Sequence, residues 1–137
     1  PVGRFPLRRV FYRADRMEKP KSSLAIRALK PNDGWCDDPS HPSYNQLVPR
    51  PFQASHERLW RKDHTYDLVI ELGYNYAPTI AGKGSAIFMH NAQPAFTPTK
   101  GCIALHPEDL LNLLETCGPE TDLIIPAITS PIAAGQK

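Results

Sequence analysis

Apolar residues in this chain come in short bursts separated by polar, proline-marked stretches. Residues 4–14, Arg-Phe-Pro-Leu-Arg-Arg-Val-Phe-Tyr-Arg-Ala, mix aromatic and branched residues with charges and predict a strand. Pro6 marks its start or a sheet edge, because proline cannot donate to a ladder. Leu24 to Leu29 alternates, with Leu24, Ile26 and Ala28 on one side and Arg27 on the other, which predicts a second strand. Residues 30–64 hold Pro31, Pro39, Pro42, Pro49 and Pro51 and read as one long irregular stretch, a binding wall or lid, with a short helix over 55–62 behind Ser55. Tyr66 to Leu72 is apolar enough to be a central strand, and Gly73 to Gly84 is a loop. The runs Ala86–Met89 and Ile103–Leu105 predict two short buried strands around a loop, 91–101, that contains Pro94, Pro98 and Gly101. His106-Pro107-Glu108-Asp109 then opens a helix over about 107–117, with proline in its first turn followed by acids. Leu110, Leu111, Leu113 and Leu114 supply its apolar face, and Gly118-Pro119 stops it. Asp122–Ala127 reads as a last strand and 128–137 as a frayed tail. The prediction is a mainly β, sandwich- or barrel-like fold with one clear helix.

Composition narrows the class. At 137 residues the chain is one domain, 1–137, able to bury a core without staples. Fifteen prolines against eight glycines require short elements and shaped loops, which excludes a helix bundle. The net charge of +2 gives no reason to expect a nucleic-acid partner. No run approaches the ~20 apolar residues of a membrane-spanning helix. The chain begins at Pro1, so a processed or trimmed N-terminus is expected. Three cysteines, at 36, 102 and 117, leave at least one thiol free, and Cys36 and Cys117 are the pair open to bonding in an oxidising compartment. Cys36-Asp37-Asp38 with His41 has metal-like residue types without the paired spacing of a zinc site, so neither metal nor cofactor is expected.

The chemistry collects at the two short strands. The first delivers His90 at its end, and Cys102 begins the second; laid antiparallel and adjacent, they bring an imidazole and a thiol to one edge of the sheet. A lone cysteine starting an apolar strand is equally a core residue. Catalysis would use Cys102 as nucleophile, with His90 either taking its proton or forming an ion pair with it; if the imidazolium–thiolate pair forms, alkylation stays fast well below pH 8. Lys100 adds a nearby cation, and the N–H groups of Gly101 and Cys102 are candidates for an oxyanion hole. Asn91 either orients the imidazole or turns the backbone. Trp35, Trp60, Tyr74 and Tyr76 flank loops as groove walls or as core anchors. Arg8, Arg9 and Arg13 read as a solvated face of the first strand.

His90, followed by Thr99-Lys100-Gly101-Cys102-Ile103, resembles the signature of the L,D-transpeptidase (YkuD-type) catalytic domain, a histidine, a spacer, then Ser/Thr-His-Gly-Cys and an apolar residue. Pro1-Val2-Gly3-Arg4-Phe5-Pro6-Leu7 is similar to an early segment of that domain. Gly34-Trp35-Cys36-Asp37-Asp38 with Ser55-His56-Glu57-Arg58-Leu59-Trp60 resembles a bacterial subgroup. The resemblance implies a cell-wall cross-linking enzyme, acylated by carbapenems, acting in the periplasm or cell envelope on peptidoglycan stem peptides. Its cysteine attacks after a diaminopimelate residue, expels D-alanine and passes the tetrapeptide to an amine. Carried over by position, Cys102 is nucleophile, His90 general base and Gly101 part of the oxyanion hole, with Thr99, Lys100, Asn91, Trp35 and Tyr74 as substrate-side residues. The sequence departs from the pattern at Lys100, where the family has histidine, at Ala104, where asparagine or arginine often stands, and in a shorter spacer after His90. The resemblance leads to the expectation that the family's first strands, which would precede Pro1, are absent here. Two other outcomes fit the same groove: a hydrolytic L,D-carboxypeptidase or amidase, and a peptidoglycan-binding module without turnover, which the lysine favours.

Overall fold

The computed structural model describes residues 3–92 and 102–126; the predicted tail and the motif residues Thr99, Lys100 and Gly101 lie outside them. Among the described residues, nine strands form two sheets, and one helix packs on the larger. The strands are β1 (Gly3–Tyr12), β2 (Ala25–Ala28), β3 (Asp33–Cys36), β4 (Leu47–Pro49), β5 (His56–Arg58), β6 (Leu68–Leu72), β7 (Phe88–Asn91), β8 (Ile103–Leu105) and β9 (Asp122–Ile125), with α1 over Pro107–Thr116.

The six-stranded sheet runs β2-β1-β6-β7-β8, with β9 on the early half of β1. Among the described residues this sheet stays open, so the layered alternative fits and the barrel does not. Strand β1 serves two antiparallel partners in succession: Gly3–Pro6 face β9, and Leu7–Tyr12 face β6. Pro6 sits inside the strand instead of at its start, paired with Asp122 of β9. Its carbonyl accepts from Gly73 N–H at 2.7 Å. Glycine is required there, because a Cβ on residue 73 would lie 2.5 Å from the proline ring.

Side-chain alternation divides the core. On one face Val10, Leu68, Ile70 and Met89 pack with Leu110 and Leu114 of α1. Pro107 lies in the helix's first turn with Glu108 and Asp109, as expected, while Leu111 faces outward. On the other face Phe11, Val69 and Phe88 pack against Trp35, Leu59 and Tyr66.

That second layer is the main departure from expectation. Residues 30–64 hold a three-stranded sheet, β4-β3-β5, and 56–58 is a strand paired with Gly34–Cys36 instead of part of a helix. Asp-Gly-Trp-Cys, Leu-Val-Pro and His-Glu-Arg are too short for a period to show, and their partners lie far along the chain. The cysteines are all free. Cys36 lies in the small sheet and Cys117 packs with the helix-side core, so the large sheet separates the pair considered for a disulfide.

Candidate active site

The loop after β6 turns back into β7 through Ala86, which holds a left-handed φ of 59° without being glycine. Its amide donates to Asn45 Oδ1 at 3.2 Å, and its carbonyl accepts from the Cys102 thiol at 3.1 Å. The same sulfur accepts from Phe88 N–H at 3.4 Å. The thiol is thereby fixed between two backbone groups at the start of β8, partly exposed and resting on the Trp35–Phe88–Tyr66 cluster.

Strands β7 and β8 are adjacent but parallel, not antiparallel, with Met89 opposite Ile103 and His90 opposite Ala104. In long parallel strands this would part the end of one from the start of the other. These have only four and three residues, so Cys102 and His90 are two register steps apart on one face. Their Cα atoms are then roughly 8 Å apart, within reach of two side chains.

His90 is buried, and its Nδ1 lies 2.9 Å from the Asn91 carbonyl oxygen. A carbonyl only accepts, so Nδ1 carries the proton and Nε2 keeps the lone pair a base needs. Asn91 thus orients the ring through its main chain. Its side chain turns to the opposite face, where Nδ2 donates to the His64 carbonyl at 3.1 Å. This replaces the side-chain role considered for Asn91 on sequence. Tyr66 packs edge-on against His90 with centroids 5.5 Å apart, and against Phe88 at 5.8 Å. Its hydroxyl donates to Glu57 of β5.

Electrostatics favour a protonated thiol in the resting protein. Burial pushes Cys102 above the ordinary thiol range and the Glu57 carboxylate adds to this, while the Phe88 N–H pulls the other way. Of the two roles open to His90 on sequence, these surroundings favour taking the proton over a preformed imidazolium–thiolate pair. Burial also raises the Glu57 carboxyl, against the hydrogen bond from Tyr66, and Tyr66 is raised by burial and by Glu57.

The other sequence candidates separate. Trp35 is 1% exposed, with Phe88 5.1 Å away, so it is a core anchor and no groove wall. Tyr74 is half-buried against Phe5, its hydroxyl donating to the Lys83 carbonyl, which braces the 73–84 loop. Arg13 is buried and stacked on Trp60 at 3.5 Å, not part of a solvated face. Sequence reading passed over Asn45, Tyr66 and Glu57. Asn45 had one usable signal, as asparagine tolerates a left-handed backbone, here φ 61°; the other two meet the site only through tertiary packing. Among the described residues no group of three or more His, Cys, Asp or Glu side chains is placed to hold a metal ion. The family model described as YkuD, L,D-transpeptidase catalytic domain, matches residues 1–125. No curated protein and no solved structure matches the chain.

Proposed function

This chain belongs to the YkuD family of L,D-transpeptidase catalytic domains, and from that premise we propose that it is a cysteine acyltransferase acting on peptidoglycan stem peptides at the cell envelope. One observation carries the reading: Cys102 and the base-oriented His90 share a face of two adjacent short strands. As the Cys102 sulfur attacks the diaminopimelate carbonyl that is amide-linked to D-alanine, the thiol proton passes to His90 Nε2. The proton then moves to the departing D-alanine amine as the C–N bond breaks, leaving a thioester. An acceptor amine attacks that thioester, gives the peptide product and returns the proton to the thiol. Gly101 and Cys102 N–H are the proposed oxyanion donors, and Lys100 and Thr99 the flanking substrate contacts. A thiol protonated at rest suits this scheme, since His90 removes its proton during attack instead of beforehand.

Intact-mass measurement with a carbapenem tests the reading. The expected result is a one-to-one adduct on Cys102, absent in Cys102→Ser and slower to form in His90→Ala. Stem tetrapeptide with and without an amine acceptor then separates transfer from hydrolysis. The thiol's burial favours a second reading, a peptide-binding module without turnover. An unmodified but folded protein, whose Cys102 is alkylated no faster than Cys36, would favour that alternative.

A further inference from the structure

Arg8 and Arg9 are consecutive in a strand, where side chains alternate between faces, yet both end on one carboxylate. Arg8 Nη1 donates to Glu71 Oε2 at 2.7 Å, and Arg9 Nε donates to Glu71 Oε1 at 2.7 Å. The register of β1 against β6 slips between Leu7 and Val10. Such a bulge re-aims a side chain, here turning two neighbouring guanidiniums toward the same group. Glu71 is 3% exposed, while both arginine side chains remain more than one-third exposed. Each guanidinium uses one nitrogen on Glu71, and the remaining donors make no other hydrogen bond among the described residues. Arg8 is held in place by the ring of Tyr76, 4.4 Å from its guanidinium carbon. These groups line a cleft of about 410 Å³ together with Gln46 and Thr79.

We propose that this cleft binds a carboxylate of a short peptide. One arginine would neutralise Glu71; the second leaves a unit of positive charge with unused, partly desolvated N–H forks, the geometry that grips a carboxylate in bidentate fashion. The volume suits a few residues. Glu71 pairs with Phe88 across the β6–β7 ladder, and the Phe88 N–H reaches the Cys102 sulfur. The cleft is therefore two strand spacings from the thiol, on the order of 10 Å, about three extended residues. The choice of peptide rests on the acyl-transfer reading of Cys102, but the test needs no thiol chemistry.

Calorimetric titration of the Cys102→Ala protein with a stem-composition tripeptide carrying free carboxylates should show binding. Its fully amidated counterpart should bind at least tenfold more weakly. Arg8→Gln and Arg9→Gln should each weaken the acid about tenfold, with thermal melts confirming the fold. Arg8→Lys, which keeps a charge against Glu71 and loses the fork, should also weaken it. Equal affinity for acid and amide, no binding at all, or undiminished binding by folded arginine variants overturns the proposal. Inorganic phosphate binding more tightly than the tripeptide overturns the carboxylate assignment. A Cys102 adduct that still forms in the wild-type protein despite such a failure sinks the cleft alone; binding without any adduct sinks the acyl-transfer reading alone.

Discussion

Asn45 ties three parts of the site together, and its replacement should be felt in both stability and thiol reactivity. Its Oδ1 accepts from Trp35 Nε1 at 3.0 Å and from Ala86 N–H at 3.2 Å. Its Nδ2 donates to the Tyr74 and Asn75 carbonyls at 2.9 and 2.7 Å. Four bonds at a net ~1 kcal/mol each, discounted because the side chain is only half-buried, amount to about 3 kcal/mol. The left-handed backbone adds ~1 kcal/mol against alanine, which has a Cβ and no polar tip to compensate. Asn45→Ala should therefore cost about 4 kcal/mol and Asn45→Gly about 3, a large share of a total stability typically of 5–15 kcal/mol. Asn45→Asp places a carboxylate against two carbonyl oxygens, so it should be worse than glycine at pH 7 and recover near pH 4, where an O–H donor returns. Urea denaturation at a common m-value gives the three costs. Because Ala86 also accepts from the Cys102 thiol, each variant should alter Cys102 alkylation while leaving the helix-side core intact. Alanine and glycine giving equal losses would refute the backbone argument, and an alanine loss below ~1 kcal/mol would refute the hydrogen-bond argument.

Other consequences follow from the same contacts. Burial raises the Cys102 thiol, so its alkylation rate should keep climbing with pH after a small cysteine peptide has levelled off; a profile that levels at or below the peptide's contradicts this. Glu57→Gln removes a charge that raises the thiol, and should speed Cys102 alkylation at pH 8; an unchanged or slower rate argues against that influence. Glu57 itself is raised by burial from an ordinary value of 4.5, so its proton stays on longer in the folded protein than in the unfolded chain. Its stabilising contribution is complete below that ordinary value and is lost as pH rises through the folded one. Urea melts from pH 4 to 7 should accordingly show a smaller decline for Glu57→Gln than for wild type, and parallel curves would dismiss the effect. Leu110 is fully buried between α1 and the sheet, so Leu110→Ala should cost 2–5 kcal/mol in the same melts, on the order of a core leucine; a loss under ~1 kcal/mol would mean the helix is not docked as described.

Local chemistry alone determined a good deal of this protein. Pro107 with Glu108 and Asp109 announced α1, and the dense apolar run before Leu72 announced β6, because capping, charge and hydrophobic period act within a few residues. The pairing of a histidine and a Gly-Cys step pointed to the family through motif, not through geometry. Tertiary structure decided the rest. Whether β7 and β8 run parallel depends on where the intervening chain returns, and nothing in either three- or four-residue strand encodes that direction. The small sheet formed from Gly34–Cys36, Leu47–Pro49 and His56–Arg58 because segments far apart in sequence could satisfy one another's backbone groups over Phe11 and Phe88. That same layer buried Trp35, carried Glu57 to Tyr66 and raised the thiol. A cysteine's place in sequence marks a candidate nucleophile; its depth and its neighbours set its proton, and those are properties of packing.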